Sequence, residues 1–165
     1  RRRLAFDELF TLQLAVLARR QHHATEVKGV PVQIDGKILA GFYDSLPFTL
    51  TGAQQRCVDQ ILGDLERDTP PMNRLLQGEV GSGKTVVALA ALLAVAADGY
   101  QGAVMVPTEV LAEQHFQTVV RLLAGLARPV RGENLVSVYL ESLGRPVSVG
   151  LLTGSTRRPG GRAPP

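Results

Sequence analysis

The sequence predicts an α/β fold, a parallel sheet with flanking helices, preceded by a separate N-terminal helix. Three observations carry this expectation. Short apolar runs of strand length, at residues 74–77, 103–106 and 147–152, alternate with longer runs at helical spacing,. A glycine-rich loop stands between the first strand and the helix after it. The order strand, helix, strand, helix, strand closes into a parallel sheet through right-handed crossovers.

Composition sets the outer limits. The chain has 165 residues, 45% of them hydrophobic and 20% charged, which is ordinary globular composition and enough for one α/β domain with an extra arm,. The net charge of +3 is compatible with a polyanionic partner and does not require one,. Arg1, Arg2, Arg3, Arg19 and Arg20 crowd one end, and Arg157, Arg158 and Arg162 the other. The single cysteine, Cys57, excludes an internal disulfide, fits a reducing compartment and reads as a small core residue,. No stretch reaches the roughly 18 uninterrupted apolar residues of a membrane span. Asp7 and Glu8 interrupt the basic and apolar start, which excludes a signal peptide,. The absence of an initial Met and the ending Pro-Gly-Gly-Arg-Ala-Pro-Pro read as a piece of a longer protein.

Residues 4–20 have a wide apolar face (Leu4, Leu9, Phe10, Leu12, Leu14, Val16, Leu17) and no Gly or Pro, so they predict a helix,. That face is expected to pack on the α/β unit, since each apolar side chain left in water forfeits about 1.5 kcal/mol or more. Residues 21–45 read as a connector, with a short strand at Val30–Ile34 and a turn at Asp35-Gly36,. Residues 46–155 form the main unit. Thr51 is a helix N-cap with Gln54 three residues on, a capping-box pattern. Cys57, Val58, Ile61, Leu62 and Leu65 continue that helix until Asp68-Thr69-Pro70-Pro71 ends it,. Thr85 to Ala97 is a nearly all-apolar helix closed by Asp98-Gly99. Thr108 caps the next helix, with Glu109 favoured by the dipole in its first turn, and the helix runs to about Ala124,. A small helix is expected over Leu135 to Leu143, and disorder over 156–165. His22, His23 and His115 lack metal-ligand spacing and read as surface residues,.

The loop itself carries chemistry. Gly78-Glu79-Val80-Gly81-Ser82-Gly83-Lys84-Thr85 fits Gly-x-x-x-x-Gly-Lys-Thr, the phosphate-binding loop of a P-loop NTPase, with the required strand before it and helix after it,. Gly78, Gly81 and Gly83 let the backbone wrap closely, so that successive N–H groups, Ser82 among them, point inward at a helix N-terminus. Lys84 reaches the β- and γ-phosphates of ATP, and the Thr85 hydroxyl ligates Mg²⁺. Lys84 and Thr85 are thus the candidate catalytic pair.

Several segments beyond the loop resemble the RecG family of ATP-dependent DNA helicases, within helicase superfamily 2. Arg1-Arg2-Arg3-Leu4-Ala5-Phe6-Asp7-Glu8-Leu9 resembles the helix joining that family's wedge domain to its motor. Leu46 to Gln54 resembles the Q-type motif, and Asn73 to Thr85 resembles motif I, with Glu79 where Asp is common. Val106-Pro107-Thr108-Glu109-Val110-Leu111-Ala112-Glu113-Gln114-His115 resembles motif Ia, and Leu151-Leu152-Thr153-Gly154-Ser155 a following loop near the DNA path. The resemblance covers residues 1–124 throughout. It implies an incomplete RecA-like lobe that binds ATP and Mg²⁺, in a cytoplasmic protein acting on branched or duplex DNA together with the remainder of its own chain. It implies adenine recognition by Phe48, through stacking, and by Gln54, through hydrogen bonds; the residues alone leave Phe48 open to a core role and Gln54 to a capping one. It also implies contacts to the nucleic-acid backbone by Pro107, Thr108 and Glu109 and by Thr153, Gly154 and Ser155, with Thr108 as a plain cap the lesser reading.

Two features depart from the family pattern. Residues 125–146 are longer than the usual link and read as an insertion. No apolar strand within residues 1–165 ends in Asp-Glu, the carboxylates that complete the Mg²⁺ site. A primosomal or transcription-coupled-repair translocase shares motifs I and Ia, and a P-loop kinase or transport ATPase shares the loop; the Arg-rich helix and the Pro-Thr-Glu-x-Leu-Ala-x-Gln segment favour the RecG-like reading over each. The 165-residue chain alone is expected to bind ATP without turning it over, since an arginine finger by itself contributes about 10³–10⁵ in rate. Equilibrium binding and phosphate release, with and without branched DNA, check this, and turnover at a motor-like rate abolished by Lys84→Ala would contradict it.

Overall fold

The computed structural model describes residues 2–68, 70–126, 130–132, 134–140 and 144–154. In chain order these form α1 (Arg2–Glu26), α2 (Gly36–Ser45), α3 (Gly52–Leu65), α4 (Lys84–Ala97), α5 (Glu109–Leu123), β1 (Val130–Arg131), β2 (Leu135–Leu140) and β3 (Arg145–Gly150).

The centre is α4. It is apolar on every side and buries Val86, Val87, Leu89, Ala90, Leu93 and Ala94. A helix without a polar face has to be surrounded, and α2, α3 and α5 all pack on it. Phe42 and Ile38 of α2, Val58 and Ile61 of α3, and Val120 and Leu123 of α5 complete this core. The segment expected to be a connector therefore contributes a helix of its own. Asp35, expected in a turn, is the N-cap of α2, its carboxylate accepting the Lys37 N–H at 2.8 Å,. Residues 30–34 form no strand; instead Val32 N–H donates to Leu65 O at 2.8 Å and Gln33 N–H to the Asp98 carboxylate at 2.9 Å, which fastens this segment to the ends of α3 and α4.

The sheet differs from the expectation. The described sheet has three strands in the order β1-β2-β3, and both pairings are antiparallel. Residues 74–77 and 103–106 form neither helix nor strand and join no ladder. They border a cleft of about 1010 Å³, lined by Leu76, residues 99–106, one side of α4 and residues 145–152. Strands bond at about 4.8 Å, and among the described residues these two segments pair with no strand. Met105, 96% exposed, and Leu75, 90% exposed, show how open these two segments are. The Arg145 guanidinium lies beside Gly99 and the Glu109 carboxylate beside Gly154.

The expected helix over 135–143 is corrected to a strand over its described part. Val136, Val138 and Leu140 are buried while Leu135 and Tyr139 face outward, a period of two carried by β-branched residues,. A Ser137–Ser148 hydroxyl pair at 2.8 Å joins β2 to β3 on the other face,. The packing expected of the N-terminal helix is also corrected. α1 extends to Glu26, yet Leu9, Leu14 and Leu17 remain 61%, 51% and 54% exposed. Phe6 and Phe10 stack on each other with ring centroids 5.8 Å apart. With apolar residues scattered round the helix there is no single stripe for the four-helix core to accept,. The expected disorder at 156–165 lies outside the described residues.

Phe42 is fully buried between α4 and its neighbours. Phe42→Ala is expected to lower the unfolding free energy by about 3–5 kcal/mol, measured by urea denaturation.

Candidate nucleotide-binding loop and nucleic-acid edge

The loop joins the extended segment 74–77 to the first turn of α4. Upstream, Arg74 is held by α3: its Nε donates to the Asp64 carboxylate and its Nη1 to Gln60 Oε1 at 3.2 Å. That hydrogen bond holds the Asp64 carboxyl below the usual aspartate range,. Gly81 and Gly83 adopt φ of 82° and 81°, a left-handed backbone open to glycine and strained for other residues,. Ser82 N–H donates to Glu79 O at 3.1 Å and closes the turn between them.

Lys84 folds back over this turn. Its ammonium donates to Gly78 O at 2.9 Å and to Glu79 O at 2.7 Å. The charge that can meet phosphates is thus already held at the centre of the loop, on neutral carbonyls that a charged oxygen can replace. Thr85 is half-buried in the first helical turn. It offers one hydroxyl oxygen to a cation, and no cluster of three or more His, Cys, Asp or Glu stands ready for a metal among the described residues. The residues fit a phosphate chain and supply a single protein ligand to Mg²⁺.

Gln54 does more than either reading proposed. The capping box is present, with Thr51 N–H donating to Gln54 Oε1 at 2.8 Å and Gln54 N–H to Thr51 Oγ1 at 3.2 Å. The other end of the same carboxamide reaches the loop, Nε2 donating to Ser82 O at 2.9 Å. This link spans 28 residues of sequence, and the capping pattern gave no sign of it. Phe48 is 46% exposed and outside the core cluster, which removes its core reading.

The candidate nucleic-acid residues converge from two segments. Thr108 caps α5 by accepting the Leu111 N–H at 3.3 Å. Pro107 and Glu109 flank it, and a Cβ built on Gly154 would stand 3.0 Å from Glu109 Oε1. The Glu109 carboxylate and Gly154 are therefore adjacent, and Val106 and Leu152, which precede the two loops, line the same cleft as Lys84 and Thr85. Ser155 lies outside the described residues. Arg145, discussed below, escaped the sequence reading altogether, and nothing in its local pattern marks it.

The glycine-rich turn therefore sits beside a capped helix end, on a core of four helices. The chain belongs to the DEAD/DEAH box helicases, the family that matches residues 51–144. Within it, the chain is similar to the ATP-dependent DNA helicase RecG of Synechocystis, 53% identical over 130 residues that make up 79% of this chain and 16% of that one. It is likewise 52% identical over 122 residues to RecG of Aquifex aeolicus, and 40% identical over 157 residues to RecG of Staphylococcus epidermidis. The solved structure of RecG bound to a three-way DNA junction superposes with a TM-score of 0.64 at 48% identity, covering 74% of this chain and 16% of that one. The chain spans between 15% and 20% of the length of these curated relatives. That likeness extends the α/β, RecA-like architecture to this chain, although residues 74–77 and 103–106 make no ladder among the described residues.

Two substitutions separate the roles of Gln54. Gln54→Ala is expected to cost about 1 kcal/mol of stability through loss of the cap. Gln54→Glu keeps an acceptor for Thr51 but faces Ser82 O with oxygen. It should leave the unfolding midpoint in place and speed hydrogen exchange of the loop amides, read by mass spectrometry.

Proposed function

We propose that this chain is the ATP-binding part of the first motor lobe of a DNA helicase that remodels branched DNA, such as stalled forks and recombination junctions, in repair and recombination. The observation that carries this reading is the arrangement of the loop. Lys84 is gathered over the turn, and the backbone of that turn is tied by Gln54 to α3. The likeness to RecG on a three-way junction supplies the choice of DNA.

In this reading Gly78, Gly81, Ser82 and Gly83 present backbone N–H groups to the phosphates. Lys84 leaves its carbonyl partners for the β- and γ-phosphates, and the Thr85 hydroxyl is one ligand of Mg²⁺. Phe48, exposed ahead of α3, stacks on adenine, and Gln54 reads the adenine edge with the hydrogen-bonding capacity left beside its cap and loop bonds. Pro107, Thr108 and Glu109, with Thr153, Gly154 and Ser155, follow the DNA backbone. Helix N–H groups suit that task, since backbone contacts set register without reading sequence. A protein acting on chromosomal DNA in bacteria works in the cytoplasm, and no helix among the described residues is long and apolar enough to cross a membrane.

The test is ATP hydrolysis by the full-length gene product, with and without a synthetic three-way junction. Lys84→Ala is expected to lower the stimulated rate by about 10²-fold or more, the scale of losing a preorganised charge-stabilising donor. Thr108→Ala and Thr153→Ala are expected to weaken junction stimulation while leaving ATP affinity nearly unchanged. Stimulation by no DNA of any form would assign the loop to a P-loop NTPase of another kind.

A further inference from the structure

The phosphate loop enters the N-terminal end of α4, and the opposite end of that helix is a junction. The last turn of any helix leaves carbonyls without intrahelical donors. Two of these, Ala96 O and Ala97 O, accept from one guanidinium nitrogen, Arg145 Nη2, at 3.0 and 2.7 Å. A cation there also complements the negative end of the helix dipole.

Arg145 is the first residue of β3. From it the strand runs along the cleft to Leu151 and Leu152, which line the cleft together with Lys84 and Thr85, and then to Thr153 and Gly154 beside Glu109. The lengths match. The 14 residues of α4 span about 21 Å at about 1.5 Å each. The six residues of β3 span about 20 Å at about 3.3 Å each. Arg145, at the start of β3, thus ties that strand to the C-terminal end of the helix whose N-terminal end carries the phosphate loop, and the Thr153–Gly154 loop follows β3 in sequence. Neither element is loose. α4 buries Val86, Val87, Leu89, Ala90, Leu93 and Ala94, and β3 is paired over six positions with β2, whose Val136, Val138 and Leu140 are in the core.

We propose that Arg145 is a positioning residue that couples the nucleotide end of α4 to the Thr153–Gly154 loop, fixing the height of that loop relative to Lys84 and Thr85. This rests on the functional reading above. A displacement of α4 along its axis is handed through the guanidinium to β3 and so to the DNA-facing loop, a contiguous path through two rigid elements.

The experiment uses the full-length gene product and three proteins: unmodified, Arg145→Met and Arg145→Lys. ATP affinity, basal hydrolysis and junction-stimulated hydrolysis against DNA concentration are measured for each, with the unfolding midpoint as a control. Arg145→Met should keep ATP affinity and basal rate within about twofold and lose about tenfold in the stimulated kcat at saturating DNA, the scale of losing hydrogen bonds from a charged donor. The half-saturating DNA concentration should move much less. Arg145→Lys should restore most of the stimulated rate, because an ammonium can also donate to terminal helix carbonyls. If Arg145→Met does not fold, Arg145→Gln replaces it, with the same expectation for a weakened donor. Unchanged stimulation, or equal loss of basal and stimulated rates, would overturn the proposal. An unmodified protein that no DNA stimulates overturns the functional reading instead, and is seen before any variant is made.

Discussion

Everything in this structure answers to the need to enclose α4. A helix of fourteen residues whose sequence runs Lys-Thr and then twelve apolar residues has no side to give to water. Three other helices are recruited to cover it, and α2, drawn from a glycine-interrupted stretch, is one of them. Burial also fixes what stands at the two ends. The N-terminus, with Gly83 as its left-handed cap, is held where the loop turns. The C-terminus, with its own cap Asp98, gathers Gln33 and Arg145 from two distant parts of the chain.

The loop shows how local and distant forces combine. Its left-handed turns come from glycine alone, but its position comes from α3 on both flanks. Arg74 ties the incoming segment to Asp64 and Gln60, and Gln54 ties Ser82 to the start of the same helix. One carboxamide thus serves a helix cap and a phosphate loop. Neutral hydrogen bonds of this kind contribute only about 1 kcal/mol each. Their value lies in geometry, because Lys84 is aimed by the backbone they steady.

What could be read in the sequence was whatever a short window determines. The phosphate loop, the Thr51–Gln54 capping box, the Thr108 cap and the limits of α4 are each set by residues within a few positions of one another, and the structure has them where the pattern put them. Other features were not legible. Leu135 to Leu140 is compatible with a helix in isolation, although Val136 and Val138 are stronger in a strand,. The sheet expected of 74–77 and 103–106 depends on neighbours that no local pattern contains. The exposure of α1 depends on what surrounds it, since an apolar helix reads the same whether covered or bare.

Gly83 and Gln54 are bound to each other in a way that reaches beyond stability. A Cβ at position 83 would fall well inside contact distance of Gln54 Nε2, on top of the strain of its positive φ,. The carboxamide could swing away only by releasing Ser82. A side chain at 83 therefore carries two penalties in the presence of Gln54 and one in its absence, so the effects of changing the two residues do not add. The pair is epistatic. Drift at either position is constrained by the other, and a side chain at Gly83 is easier to accept after a change at Gln54, on a different helix 29 residues upstream.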